Sequence, residues 1–191
     1  MPGHAYETLF ALATEQLGYV TREQSLDAGF SEKTLRQMAR RGDVDHVGRG
    51  LYRFNAIPPG PLDAYMEAVL WPHRKTAVLS HETALDLYGL SDANPDKIHI
   101  TVPKKHAITR KIPAVYDIHR ADLKPDEITW REGLPLTTIE RTIRDCHQTH
   151  LRRGLLEQAL DQARARGLIN AATERKLRKE ITAHVTAQGA Q

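Results

Sequence analysis

Cysteine is all but missing: Cys146 is the only one in 191 residues. A single thiol excludes an intramolecular disulfide and any multi-cysteine zinc site, and it fits a reducing compartment. Such a residue reads as a small core side chain. Long apolar runs are missing too, with nothing near the ~18 consecutive residues a membrane span requires. The opening MPGHAYETLF lacks a basic segment followed by an apolar one, so no secretion signal is expected. There is no phosphate loop, no GxGxxG, no nucleophile elbow, no fixed-period repeat and no low-complexity tract. What remains is 40% hydrophobic and 27% charged. That balance describes a soluble, cytoplasmic, globular chain of one medium domain or two small ones, with enough apolar material for a core.

The net charge is +3 and the pI about 9.0, too mild to establish a nucleic-acid partner. Placement of the charge says more. Residues 1–57 carry seven Lys/Arg and seven Asp/Glu, but Glu7, Glu15, Glu23 and Asp27 all precede position 31. From Ser31 to Phe54 six cations (Lys33, Arg36, Arg40, Arg41, Arg49, Arg53) face three acids (Glu32, Asp43, Asp45).

The same region has a recognisable plan. YETLFALATEQLG puts Leu9, Leu12, Ala13 and Leu17 at helical spacing before Gly18. Thr21 stands three residues before Gln24, a capping-box spacing, and Gly29 closes that second short helix. SEKTLRQMARRG makes a third, with Ser31 as N-cap and Gly42 as its stop. At about 100° per residue, Leu35, Met38 and Ala39 fall on one side, and Lys33, Gln37 and Arg40 on the other with Arg36 and Arg41 flanking. Arginine can pair bidentately with guanine, and glutamine with adenine, in the major groove. Val44–Val47 and Leu51–Phe54 then form two short β-compatible runs around Gly48-Arg49-Gly50; Val44 and Val47 differ in parity, which predicts a bulge. Three helices and a two-stranded wing make a winged helix-turn-helix over residues 1–57. Turning the chain needs glycine but not arginine, so Arg49 reads as a phosphate contact and its glycines as clearance.

PPGP at 58–61 reads as a hinge, leaving 62–191 as a second domain. LDAYMEAVLW and SHETALDLYGL are helical. KIHITVP alternates as a half-buried strand, and PAVYDIHRADL and DEITWREGLPL look like further strands. Three helices come after them: TTIERTIRDC with a Thr137/Glu140 capping box, LLEQALDQARARG, and NAATERKLRKEITAHV capped by Asn170. The fold class is therefore α+β, a winged helix-turn-helix followed by a mixed α/β domain ending in helices.

The search for chemistry is negative. His81-Glu82 opens like HExxH, but Leu85 stands where the second histidine belongs. No pair of histidines stands at ligand spacing with a third partner, and the exposed strand faces that His99 and His119 would occupy carry histidine without function, so no metal and no cofactor is expected. Pro95-Asp96 with Glu174-Arg175-Lys176 supplies the letters of a nuclease site, but the separation is too long and the second element is helical. No enzyme is predicted.

Four ordered segments resemble the AbiEi antitoxin family of abortive-infection toxin–antitoxin pairs: the VGRGLYR wing, LSHETALDLYGLSD, IHITVP and EGLPLTTIERTIRDC. The resemblance spans roughly residues 5–170 and leaves the tail after Asn170 unplaced. It implies a winged helix that binds inverted repeats of double-stranded DNA in its own promoter and represses the operon; inverted repeats would require two copies on the DNA, which leaves the oligomeric state open. It also implies a second domain that counters a nucleotidyltransferase toxin. Carried over, the DNA-binding residues are Lys33, Arg36, Gln37, Arg40, Arg41, Arg49 and Arg53, and Lys104, Lys105, Arg110 and Lys111 are candidates for countering the toxin. A plain regulator with a ligand-sensing or dimerising second domain, and a nuclease with a targeting winged helix, remain alternatives.

Overall fold

The computed structural model describes residues 3–72 and 77–183. Two units emerge: Met1–Ala77 with Trp130–Leu134, and Val78–Thr129 with Pro135–Gln191.

In the first unit, α1 (His4–Thr14) turns Leu9 and Ala13 inward. Gly18 then reverses the chain at φ +94°, and a Cβ there would sit 3.3 Å from the Ile57 side chain, so the position needs glycine for both conformation and space. β1 (Tyr19–Thr21) comes next, a strand of three residues that the sequence reading did not include. The capping box of α2 (Arg22–Asp27) forms as expected: the Gln24 N–H donates to Thr21 Oγ1 at 3.1 Å and the Thr21 N–H to Gln24 Oε1 at 2.9 Å. α3 (Glu32–Arg41) ends at Gly42 in the left-handed C-cap conformation, φ +80°. Ser31 occupies its N-cap, but the hydroxyl bonds no amide and meets Thr34 Oγ1 at 3.5 Å instead.

β2 (Val44–Gly48) and β3 (Leu51–Phe54) form the wing, and the sheet runs β1-β3-β2, antiparallel throughout. The anticipated bulge is present, with the register shifting between His46 and Gly48. The slip turns Val47 outward and accounts for its parity mismatch with Val44. Leu9, Ala13, Val20, Leu35, Met38, Val44, Tyr52 and Phe54 make one buried cluster. Tyr6 and Phe10 meet the Phe54 ring edge-on at 5.4 and 5.5 Å. Burying one such large side chain contributes about 1.5–3 kcal/mol, so this cluster dominates the stability of a small unit.

The expected boundary at 58–61 falls short of the observed one. α4 (Asp63–Leu70) belongs to the first unit, which continues to Ala77. An ion pair draws α4 back: Arg53 Nε lies 3.3 Å from Asp63 Oδ2, and both side chains are mostly buried. Proline and glycine bend the chain here without separating the wing from α4.

Beyond Ala77 the chain runs β4 (Val78–Leu79), α5 (His81–Tyr88), β5 (Ile98–Val102), β6 (Tyr116–Arg120), β7 (Ile128–Arg131) and β8 (Leu134–Thr137), the β7–β8 tip at Trp130–Leu134 being grouped with the first unit, and closes with α6 (Ile139–Gln148), α7 (Arg153–Ala165) and α8 (Ala171–Ala183). The sheet order is β6-β5-β4-β8-β7; β4 is antiparallel to β5 and parallel to β8, and β5 is parallel to β6. Glu132 (φ +51°) and Gly133 (φ +78°) form the two-residue turn between β7 and β8, where two left-handed residues suit the strand twist.

β5 is not half-solvated as its alternation predicts. Thr101 on its polar face is 2% exposed and donates to Ser80 Oγ at 2.8 Å. α5 covers that face, so both sides of the strand are packed. The Thr137/Glu140 capping box does not form either: Thr138 is the N-cap, and buried Thr137 bonds Thr142 Oγ1 at 2.7 Å. Asn170 does cap α8, accepting from the Thr173 N–H at 2.8 Å. Cys146 is fully buried, and burial pushes its thiol well up.

Candidate nucleic-acid interface

An amphipathic helix sorts its side chains by angle, and α3 does so sharply. Leu35 and Met38 are buried, whereas Lys33, Arg36, Gln37, Arg40 and Arg41 are exposed. Gly42 leads directly into β2, so helix and wing are consecutive. The wing tip is the two-residue turn Arg49-Gly50, with Gly50 at φ +68° and Arg49 exposed.

Among the described residues, Lys33, Arg40 and Arg49 carry no acidic partner. Arg36 and Arg41 do: Arg36 pairs with Glu32, and Arg41 with Asp43 at 3.0 Å. Glu32 is also held by Arg22 Nε at 3.1 Å, and these bonds, Arg36's first, keep its carboxyl below the usual range. Exposed pairs of this kind contribute little against solvent and salt, so either arginine can exchange its carboxylate for a phosphate at small cost.

Arg53 is different, and here the carried-over assignment is corrected. Its side chain is 13% exposed, its Nη2 donates to the Ile57 carbonyl at 2.9 Å, and its guanidinium lies over the Tyr19 ring at 5.8 Å. Together with the Asp63 pair, these contacts use Arg53 to fasten β3 to β1 and to the start of α4. Alternation with Tyr52 and Phe54 turns it off the core cluster, and Tyr19, Ile57 and Asp63 cover it there, which a count of cations cannot reveal.

One positioning residue escaped sequence reasoning. Asn55 Nδ2 donates to the Gly42 carbonyl at 3.1 Å and to Asp45 Oδ1 at 3.2 Å. The same residue's N–H bonds the Asp43 carbonyl at 3.1 Å. It thereby clamps the end of α3 to the foot of the wing. Only its partners reveal this role, because an asparagine after a strand reads as an ordinary loop residue.

In the second unit, Lys104, Lys105 and Lys111 are exposed and Arg110 is half-buried. All four lie on the segment between β5 and β6, next to the exposed apolar side chains of Ile112 and Val115. The nuclease letters stay apart in role: Glu174 to Lys176 sit in α8, where Glu174 is bonded by Arg178 at 3.0 Å. Among the described residues, no helix is long and apolar enough to cross a membrane.

Fold and surface together define a class: a winged helix-turn-helix unit in a mixed α+β chain. Residues 7–55, from within α1 to just past the wing, match the family described as "Transcriptional regulator, AbiEi antitoxin". Over this region the chain is similar to that family, in keeping with the resemblance of its VGRGLYR wing. In fold, the chain is also similar to the crystal structure of the RV2827C protein from Mycobacterium tuberculosis. The two are 18% identical with a TM-score of 0.50 over 93% of this chain and 71% of that one. No curated protein matches the chain.

Proposed function

We propose that this chain is a DNA-binding antitoxin: its winged helix binds inverted repeats in the promoter of its own operon, and its second unit counters a nucleotidyltransferase toxin in the cytoplasm. The observation that carries the reading is the set of exposed cations left without acidic partners on α3 and the wing tip. Among the described residues no ion pair ties Lys33, Arg40 or Arg49 to the fold, and all three lie on the consecutive α3 and wing. Arg36 and Arg41 add two cations that can be shared, and Gln37 adds an amide able to read adenine. On this reading α3 enters the major groove and the wing lies along the phosphates. Inverted repeats would take two copies of the chain.

The toxin-countering role rests on the segment between β5 and β6, where Lys104, Lys105 and Lys111 stand beside exposed Ile112 and Val115. Mixed basic and apolar exposure suits a protein or nucleic-acid partner better than plain solvation. Titration of a labelled duplex from the region upstream of the gene, over a range of salt, tests the first role. Five phosphate contacts give a slope of log affinity against log salt of roughly −4.5. Co-expression with the neighbouring toxin gene tests the second. If growth is not restored, the antitoxin role fails even where DNA binding survives.

A second reading, a regulator whose second unit senses a ligand, draws on one feature. A cleft of about 710 Å³ opens there, lined by Lys124, Glu127, Arg141, Arg144, Asn170 and Lys176 among others. Its arginines are already paired with Glu127, Asp145, Glu140 and Glu180. That occupation favours the antitoxin reading.

A further inference from the structure

Three histidines distant in sequence meet on one face of the second unit's sheet. β5 and β6 run parallel with His99 opposite Asp117 and Thr101 opposite His119, so these four side chains share a face. His81, the first residue of α5, lies over it. The His81 ring stacks on His119 with centroids 3.5 Å apart and planes 18° apart, and the His119 ring lies 5.2 Å from that of His99. His99 Nδ1 and His119 Nε2 are 3.0 Å apart. Asp117 Oδ1 stands 3.9 Å from that same His119 nitrogen.

The face is built rather than incidental. His81 holds φ +52°, a left-handed conformation that a non-glycine residue adopts only at a cost and that tends to mark functional positions. It is 6% exposed, and its Nδ1 is taken by Ser80 Oγ at 2.9 Å, which in turn accepts from Thr101. His81 is therefore a wall that orients the His119 ring. The Thr83 hydroxyl fixes the neighbouring strand by accepting from the His99 N–H at 2.8 Å. Burial lowers the proton affinity of all three imidazoles, that of His81 to about 3, and holds them in the form that offers a lone pair.

We propose that His99 Nδ1, His119 Nε2 and the Asp117 carboxylate bind a divalent first-row transition ion of the zinc type. One ligand atom from each lies within 4.8 Å of the other two. Two imidazole nitrogens on one tetrahedral zinc stand about 3.3 Å apart, given Zn–N bonds of about 2.0–2.1 Å. The 3.0 Å separation here needs only a small opening to reach that value. All three ligands are partly exposed, which gives the ion an entrance and leaves room for water at a further position. A bound ion would join the two strands that bracket the basic segment at 103–115, at the foot of the surface assigned to the toxin.

The test uses the untagged full-length chain, titrated calorimetrically with ZnCl2 and followed by absorbance with CoCl2. One ion per chain is expected, with a cobalt spectrum of nitrogen and oxygen ligands and no thiolate band. His99→Gln and His119→Gln should each weaken binding at least tenfold, and Asp117→Asn by less, in chains whose circular dichroism is unchanged. A hundredfold excess of zinc over its Kd should raise Tm by about 5 °C or more in the parent chain only. Crystals of the parent chain with zinc supply a readout that no variant's misfolding can obscure, through anomalous scattering at the zinc edge. A peak between His99 and His119 supports the site. No stoichiometric binding, a peak elsewhere, or full binding in the His99→Gln/His119→Gln chain would leave the pair as a plain hydrogen bond and overturn the proposal.

Discussion

The two units use their cations in opposite ways. In the second, arginines are tied down: Arg141 bridges Glu127 and Asp145, Arg144 bridges Glu140 and Glu180, and Arg178 bridges Asp161 and Glu174. Arg166 donates to the carbonyls of Tyr88 and Gly89. These guanidiniums fasten α6, α7, α8 and the end of α5. In the winged helix Arg53 and Arg22 are used like that, Arg22 tying α2 to Glu32 of α3, while among the described residues Lys33, Arg40 and Arg49 carry no acidic partner. The arginines of the second unit's helices thus hold a fold together, while the cations on the outer side of α3 and at the wing tip do not. Partnering separates the two uses; composition does not.

The largest effect should come from removing the unpartnered set. Each phosphate contact contributes about 0.9 to the salt slope, so Lys33→Ala/Arg40→Ala/Arg49→Ala should shrink it by about 2.7. At 0.1 M salt that corresponds to a loss on the order of 500-fold in duplex affinity, equally for cognate and random sequence. Unfolding of the second unit should not move. A slope that changes by less than one unit would take these cations off the interface. Arg49→Ala alone should account for about one contact.

Next in size is the mirror experiment on a paired cation. Asp145 is 4% exposed, and burial already raises its pKa against the pull of Arg141. Arg141→Met strands that carboxylate and should cost about 3 kcal/mol in denaturant unfolding, with duplex binding retained by folded chains. The direction of the shift sets the sign with pH. A carboxyl whose folded pKa lies above its unfolded value gains stability as it protonates. The variant should therefore recover on acidification from neutral pH toward the ordinary carboxylate range, while the parent recovers less. Loss of stability on the same descent would contradict the assignment.

The two units also differed in how much their sequences disclosed. In the first, the capping box of α2, the glycine stop of α3, the wing and its bulge were legible, because each rests on contacts between near neighbours in the chain, although the Ser31 hydroxyl does not cap α3. β1 was not, since three residues carry no period; β3 pairs with it only once folded. Arg53 was misassigned for a related reason: its ion-pair partner Asp63 lies across a proline-glycine bend that reads as a hinge, and its other acceptor is a backbone carbonyl, that of Ile57, which carries no sequence signal. In the second unit the helices were legible and the pairing was not. The parallel register of β5 and β6, which sets His99 beside His119, depends on a long connection with no local signal. Two-residue β4 was likewise invisible, although it is the strand that joins β5 to β8. The exposed cations of α3 were thus readable from angle alone, and the histidine cluster was not.

A smaller effect separates Arg53 from its neighbours in the wing. If it fastens β3 rather than touching DNA, Arg53→Met should lower stability by about 1–2 kcal/mol, as Asp63 and the Ile57 carbonyl lose their donor. The salt slope of the folded variant should match the parent. A slope reduced by about one with stability intact would return Arg53 to the interface. Asn55→Ala probes the same distinction from the other side. It removes the clamp between α3 and the wing without removing charge, so affinity should fall severalfold while the slope holds.

The finest test concerns the one exposed residue in α3's outward set that is not a cation. Phosphate contacts position a protein without reading sequence, and hydrogen bonds to base edges do the reading. Gln37 lies between Lys33 and Arg40 on the outer side of α3 and carries no charge to contribute to the slope. Gln37→Ala should leave binding to random duplex and the salt slope unchanged. It should cost about 1–3 kcal/mol on the cognate repeat and flatten the preference at one base pair, measured by competition with singly substituted operators. Equal losses on both duplexes would make Gln37 a positioning residue, and sequence reading would pass to Arg36 or Arg40, the α3 arginines able to pair with guanine.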